Sequence, residues 1–144
     1  MKMSLEQLQE IRERRLDKQR KEVQSCKDRM VAAEQTLEQC RQNLVNFRQW
    51  RLDHQEDMFQ GLQGQACSPQ AMFEYRAKLE KLTEEEQQLH VVITQAEDGL
   101  KATQQQFAQA SKIATELALK NEKTKEIIEI QDKAERELAK AKDD

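Results

Sequence analysis

The sequence predicts an all-α fold, two long helices forming an antiparallel coiled-coil hairpin. Three observations carry this. Charged residues make up 35% of the 144 and aromatics only 4%, too little apolar bulk for a thick core but enough for a narrow seam between helices. The stretch Gly61-Leu62-Gln63-Gly64-Gln65-Ala66-Cys67-Ser68-Pro69 holds the only proline and two of the three glycines. On either side of it, apolar residues recur at alternating spacings of three and four, the mark of a heptad seam.

The first helix is expected over about residues 4–60. Its seam reads Val23, Cys26, Met30, Ala33, Leu37, Cys40, Leu44, Phe47, Arg51, His54 and Met58. Before Val23 the apolar residues thin to Leu5, Leu8 and Leu16, while Arg12 and Gln19 take inward positions, so this part is expected to zip poorly. The turn is expected over 61–68. Glycine lends it backbone freedom, and Ser68 is placed to cap the next helix, with Pro69 as its first residue.

The second helix is expected over about 69–141. Its seam reads Met72, Tyr75, Leu79, Leu82, Glu86, Leu89, Ile93, Ala96, Leu100, Thr103, Phe107, Ala110, Ala114 and Leu117, then weakens at Asn121, Thr124 and Gln131. Gly99 falls inside this helix but off the seam, where glycine costs about 1 kcal/mol relative to alanine. Folding back at the turn sets Met58 opposite Met72, Leu44 opposite about Glu86, and Leu5 near Lys125. The second helix then runs on beyond the first. Arg51 and Glu86 are inward charges about one heptad apart in this register; each can carry its charge outward to water, and a register-setting pair is the sharper alternative. The whole of 1–144 is expected to be one hairpin domain.

Charge is uneven. Residues 1–30 carry nine Lys/Arg against six Asp/Glu, 9 − 6 = +3, while 53–98 carry three against ten, 3 − 10 = −7. The N-terminus lacks the apolar core of a signal peptide, and no run of 18 apolar residues could span a membrane. Cys26 and Cys40 lie about 21 Å apart if helical, beyond disulfide reach, and Cys67 is remote from both. Unbridged thiols point to a reducing, cytoplasmic setting.

Catalysis finds no support. His54 and His90 lack metal-ligand spacing, no phosphate loop or nucleophile elbow is present, and no cofactor or metal is expected. Arg12, Arg14, Arg15, Lys18, Arg20 and Lys21 loosely resemble a basic region before a zipper, but Glu10, Glu13, Asp17 and Glu22 interrupt them, so no nucleic-acid partner is expected. No apolar face opposes these charges, so membrane insertion is not expected either. The aromatics are more informative. Trp50 flanks the seam, and Phe59 and Phe73 fall outside it on either side of the turn, where a thin hairpin has little core to hide them.

Trp50-Arg51-Leu52-Asp53, then Glu56-Asp57-Met58-Phe59, then Phe73-Glu74-Tyr75 with Leu79, Leu82 and Glu84-Glu85-Glu86 after the turn, resemble the YscO proteins of type III secretion. Those are the injectisome relatives of flagellar FliJ, and the similar stretch covers about 47–86. The resemblance implies a non-enzymatic stalk, built like the γ subunit of rotary ATPases and peripheral to the secretion apparatus at the inner membrane. The end bearing the termini would engage the hexameric secretion ATPase, and the coiled coil would contact the cytosolic domain of the export gate. Chaperones of secreted substrates are a further implied partner. Phe47, Trp50, Arg51, Phe59, Phe73 and Tyr75 become candidates for the gate or chaperone contact, and Leu5, Leu8, Ile127, Ile128 and Ile130 for the ATPase ring. The alternative reading is a generic cytosolic coiled-coil adaptor or chaperone-like protein without an ATPase partner.

Overall fold

A computed structural model describes residues 4–63 and 68–143. Helix α1 spans Leu5–Gln63 and helix α2 spans Pro69–Asp143. The two pack against each other as an all-α hairpin, with no strand among the described residues.

Each start is fixed by a side-chain cap. At α1, Gln7 N donates to Ser4 Oγ at 3.2 Å while Ser4 N donates to Gln7 Oε1 at 3.0 Å, a reciprocal capping box. Glu6 in that first turn suits the positive end of the helix dipole. At α2, Ala71 N donates to Ser68 Oγ at 3.1 Å, and Pro69 occupies the first turn, where its missing N–H costs nothing. Lys140 and Lys142 lie in the last turn, where cations are favoured.

Helix α1 runs past the expected stop at about residue 60, taking Gly61, Leu62 and Gln63 into the helix. Of the expected turn, 64–67 lie outside the described residues. The longer α1 moves the fold-back point along the chain and changes the register. Leu44 shares its cluster with Leu89 and Ile93, one to two turns beyond Glu86.

Contacts group the chain into two units. In Val31–Ala102, Leu37, Leu44 and Ile93 are buried, with Cys40, Leu89, Ala96 and Leu100 packed around them. Leu82 is buried as well. The expected seam start at Met72 is corrected: Met72 is exposed, and Ala71 faces inward one position earlier. The next inward position is Tyr75, half-buried like Ala71.

In the unit formed by Met1–Met30 and Thr103–Asp144, Leu16, Cys26 and Ala110 are buried. Here the expectation of a poorly zipped end is overturned. Asn121 and Thr124 are only 5% and 1% exposed. Gln9 Nε2 donates to Asn121 Oδ1 at 2.6 Å, and Arg12 Nη1 donates to Lys120 O at 2.9 Å and to Thr124 Oγ1. Lower down, Gln19 Nε2 donates to Ala110 O at 3.0 Å. Buried polar groups are tolerated when partnered, and the inward polar residues of α1 meet those of α2. The seam continues as hydrogen bonds rather than fading. It ends near Ile128, which is half-buried, and every residue from 129 to 143 is exposed.

Candidate functional site

Two surfaces follow, one in each unit. In the Val31–Ala102 unit, heptad spacing turns Phe47, Arg51 and His54 inward and leaves Trp50 on the flank. One turn of helix separates Phe47 from Trp50 and another separates Trp50 from His54, so all three meet on one side of α1. The Trp50 ring stacks on His54 with centroids 4.7 Å apart and planes 14° apart, and meets Phe47 at 5.6 Å. Phe47 and His54 are half-buried while Trp50 stays exposed, so the indole rests on a partly buried aromatic floor. Offset and tilted ring contacts of this kind contribute about 0.5–1.5 kcal/mol beyond area burial.

An ionic cluster lies alongside. Arg51, whose side chain is 19% exposed, reaches Glu86 Oε2 at 3.6 Å and donates to Thr83 Oγ1 at 2.9 Å. Arg48 Nε lies 3.6 Å from Glu86 Oε1, and its Nη2 meets His90 Nε2 at 3.1 Å. Arg41 and Glu97 form a third, exposed pair at 3.9 Å. Glu86 thus holds two guanidinium groups from α1 across the seam. Both inward charges singled out in the sequence meet, and Arg48 and His90, not among the candidates, join them.

The other aromatic candidates do not join Trp50. At about 100° per residue, Phe59 stands about 180° from Trp50 around α1. It is exposed, in line with Val45 and Leu52 at heptad spacing, both exposed too. Phe73 is exposed on α2. Tyr75 is half-buried and lines a shallow cleft with Met58, Gly61, Leu62 and Ala71. The expected single aromatic site is thus a compact Phe47–Trp50–His54 patch plus separate exposed residues. The heptad recurrence of Val45, Leu52 and Phe59 was the available signal for the second line.

In the unit containing the termini, Leu5 and Leu8 are half-buried against the hairpin. Ile128 is half-buried, while Ile127 and Ile130 are 48% and 68% exposed. Leu119 and Leu138 are exposed as well. So the isoleucines divide, one facing the hairpin and two facing away.

Cys26 and Cys40 are free thiols, and Arg29 Nη2 lies 3.1 Å from Cys26 Sγ; Cys67 lies outside the described residues. Among the described residues there is no cluster of three or more potential metal ligands, and no helix is long and apolar enough to cross a membrane. The surfaces are suited to contact with other proteins.

No curated protein and no solved structure gives a significant match to the chain. A family model does, that of the type III secretion protein YscO, over residues 5–144. This extends the likeness from the Trp-Arg and acidic motifs near the turn to nearly the whole length of both helices, and the chain belongs to the YscO family of type III secretion proteins.

Proposed function

We propose that this protein is a non-enzymatic, cytoplasmic stalk of a type III secretion apparatus, joining the hexameric secretion ATPase to the cytosolic domain of the export gate. The carrying observation is the end of α2, which leaves its partner helix near Ile128 and continues through fifteen positions, 129–143, all exposed. A bare helix with Ile127 and Ile130 turned outward has the form of an insert for a ring or groove lined with apolar residues. Leu5, Leu8 and Ile128, being half-buried, brace this end from the hairpin side.

The Phe47–Trp50–His54 patch is the proposed gate contact, with Arg51 held alongside by Glu86. Exposed aromatics on a rigid support have the character of binding hot spots. Phe59, Phe73 and Tyr75, on other faces, are the proposed contacts for substrate chaperones.

The experiment is stimulation of the purified secretion ATPase by the full chain. Ile127→Ser combined with Ile130→Ser is expected to abolish stimulation while helicity and melting stay unchanged, since neither side chain supports the hairpin. Undiminished stimulation would remove the end of α2 from the ring contact.

A further inference from the structure

Beyond Ile128 the positions that would continue the hairpin seam are Gln131, Glu135, Leu138 and Lys142, three of them polar, with Leu138 at the border of the two faces. The apolar residues move to another side, at Ile127, Ile130, Ala134, Leu138 and Ala141. At about 100° per residue these five stay within an arc of about 80°, roughly 110° around the helix from the seam. All five are exposed, with Leu138 at 63%. The hairpin gives this stripe no cover, so it is a second face of α2.

We propose that the stripe pairs with its own copy on a second chain, the two helix ends running antiparallel. The spacing of the five apolar positions reads the same in both directions about Ala134. Reversed onto itself, Ile130 stands opposite Leu138 of the other copy, Ile127 opposite Ala141, and Ala134 opposite Ala134. The small residue at the centre allows close approach, and the large ones on either side fill the gap. One edge of the stripe carries Glu126, Lys133, Glu137 and Lys140. With the same reversal, Glu126 comes within two positions of Lys140 of the other copy, and Lys133 within two positions of both Glu137 and Lys133 of the other copy. None of the four has an ion-pair partner within its own chain among the described residues. Such edge charges set partner choice and orientation in paired helices.

The stripe is about 21 Å long, so the contact belongs to the small, transient class below about 1,200 Å². A contact of this size is expected to give a reversible dimer forming between about 10 µM and about 1 mM chain. It goes beyond the stalk reading and requires no other protein. It would withhold Ile127 and Ile130 from any other partner while two free chains are together.

Sedimentation of the full chain across that concentration range tests it. The expected result is a monomer–dimer equilibrium weakened at least tenfold by Leu138→Glu, with helicity unchanged. A chain carrying Lys133→Glu and Lys140→Glu should likewise lose self-association at least tenfold. Mixing it with a chain carrying Glu126→Lys and Glu137→Lys should restore a dimer at least as tight as the original. In a background with Cys26, Cys40 and Cys67 replaced by Ser, Ala134→Cys should form a disulfide-linked dimer on mild oxidation. A chain that stays monomeric to about 1 mM overturns the pairing and leaves the stripe to a different protein. A dimer indifferent to Leu138→Glu, or charge variants that do not find each other, overturns it equally.

Discussion

Glu86 sits between Arg48 and Arg51, 3.6 Å from each, with its side chain only a quarter exposed. An exposed ion pair adds little, but partial burial leaves fewer waters to replace a lost partner. Glu86→Gln should therefore lower unfolding free energy by about 1–2 kcal/mol, read from a urea melt. A shift below about 0.3 kcal/mol would mean that water serves both guanidinium groups equally well. Trp50 gives a contrasting expectation. It packs on His54 and Phe47 but remains exposed, so Trp50→Ala should cost less than about 1.5 kcal/mol of stability. In the proposed gate role the same change should weaken gate binding at least tenfold, measured by calorimetry on the folded variant. A variant that binds normally would take Trp50 out of that contact. Arg51 and Glu86 were legible as inward charges because they stand out against apolar seams, but their pairing was not, since the register decides between an ion pair and two side chains that reach outward to water. The stack with His54 was not, since a histidine on a seam gives no sign of which neighbour it faces.

At the level of the helices, Gly99 lies within α2 with no atom within 4 Å of where a Cβ would stand. Gly99→Ala should thus stabilise the protein by about 0.5–1 kcal/mol, through helix propensity alone, and the melting midpoint should rise. An unchanged or lower midpoint would show that the glycine accommodates a bend. The buried seam of Leu37, Leu44, Leu82 and Ile93 was legible because heptad spacing reports directly on which residues face the partner. The polar end was misread for the same reason. Apolar periodicity scores Arg12, Gln19, Asn121 and Thr124 as gaps, because a hydrogen bond between helices depends on the register of both chains at once. The structure supplies that register and turns four gaps into Gln9–Asn121, Arg12–Thr124 and Gln19–Ala110 contacts. Thr124→Val keeps the shape but removes the acceptor for Arg12, and should cost about 1–3 kcal/mol.

Across the whole molecule, charge runs from +3 over 1–30 to −7 over 53–98, and the acidic stretch begins beside the Phe47–Trp50–His54 patch proposed for the gate. A partner for the acidic part should present a basic rim, and its association rate should fall steeply as salt rises from about 50 mM to about 500 mM. A rate insensitive to salt would leave the aromatic patch as the sole determinant. The fold class and the family were readable from the sequence, because one turn signal between two heptad seams allows few alternatives and the Trp-Arg and acidic motifs lie close together along the chain. The grouping of surface residues was not. Trp50 and Phe59 are near in sequence but stand on opposite sides of one cylinder, and only the phase of the helix separates them.

The hydrogen-bonded seam near the termini also acts as a ruler. Leucines opposite leucines would be nearly as content after a slip of one heptad, since one apolar contact resembles the next. Arg12 would not, because its guanidinium would leave Lys120 O and Thr124 behind and have no partner in the buried interface. A slip of one heptad would lengthen or shorten the free end of α2 by about 10 Å. By making the slip costly, four uncharged side chains and one arginine hold constant the distance to which the protein can extend its last helix.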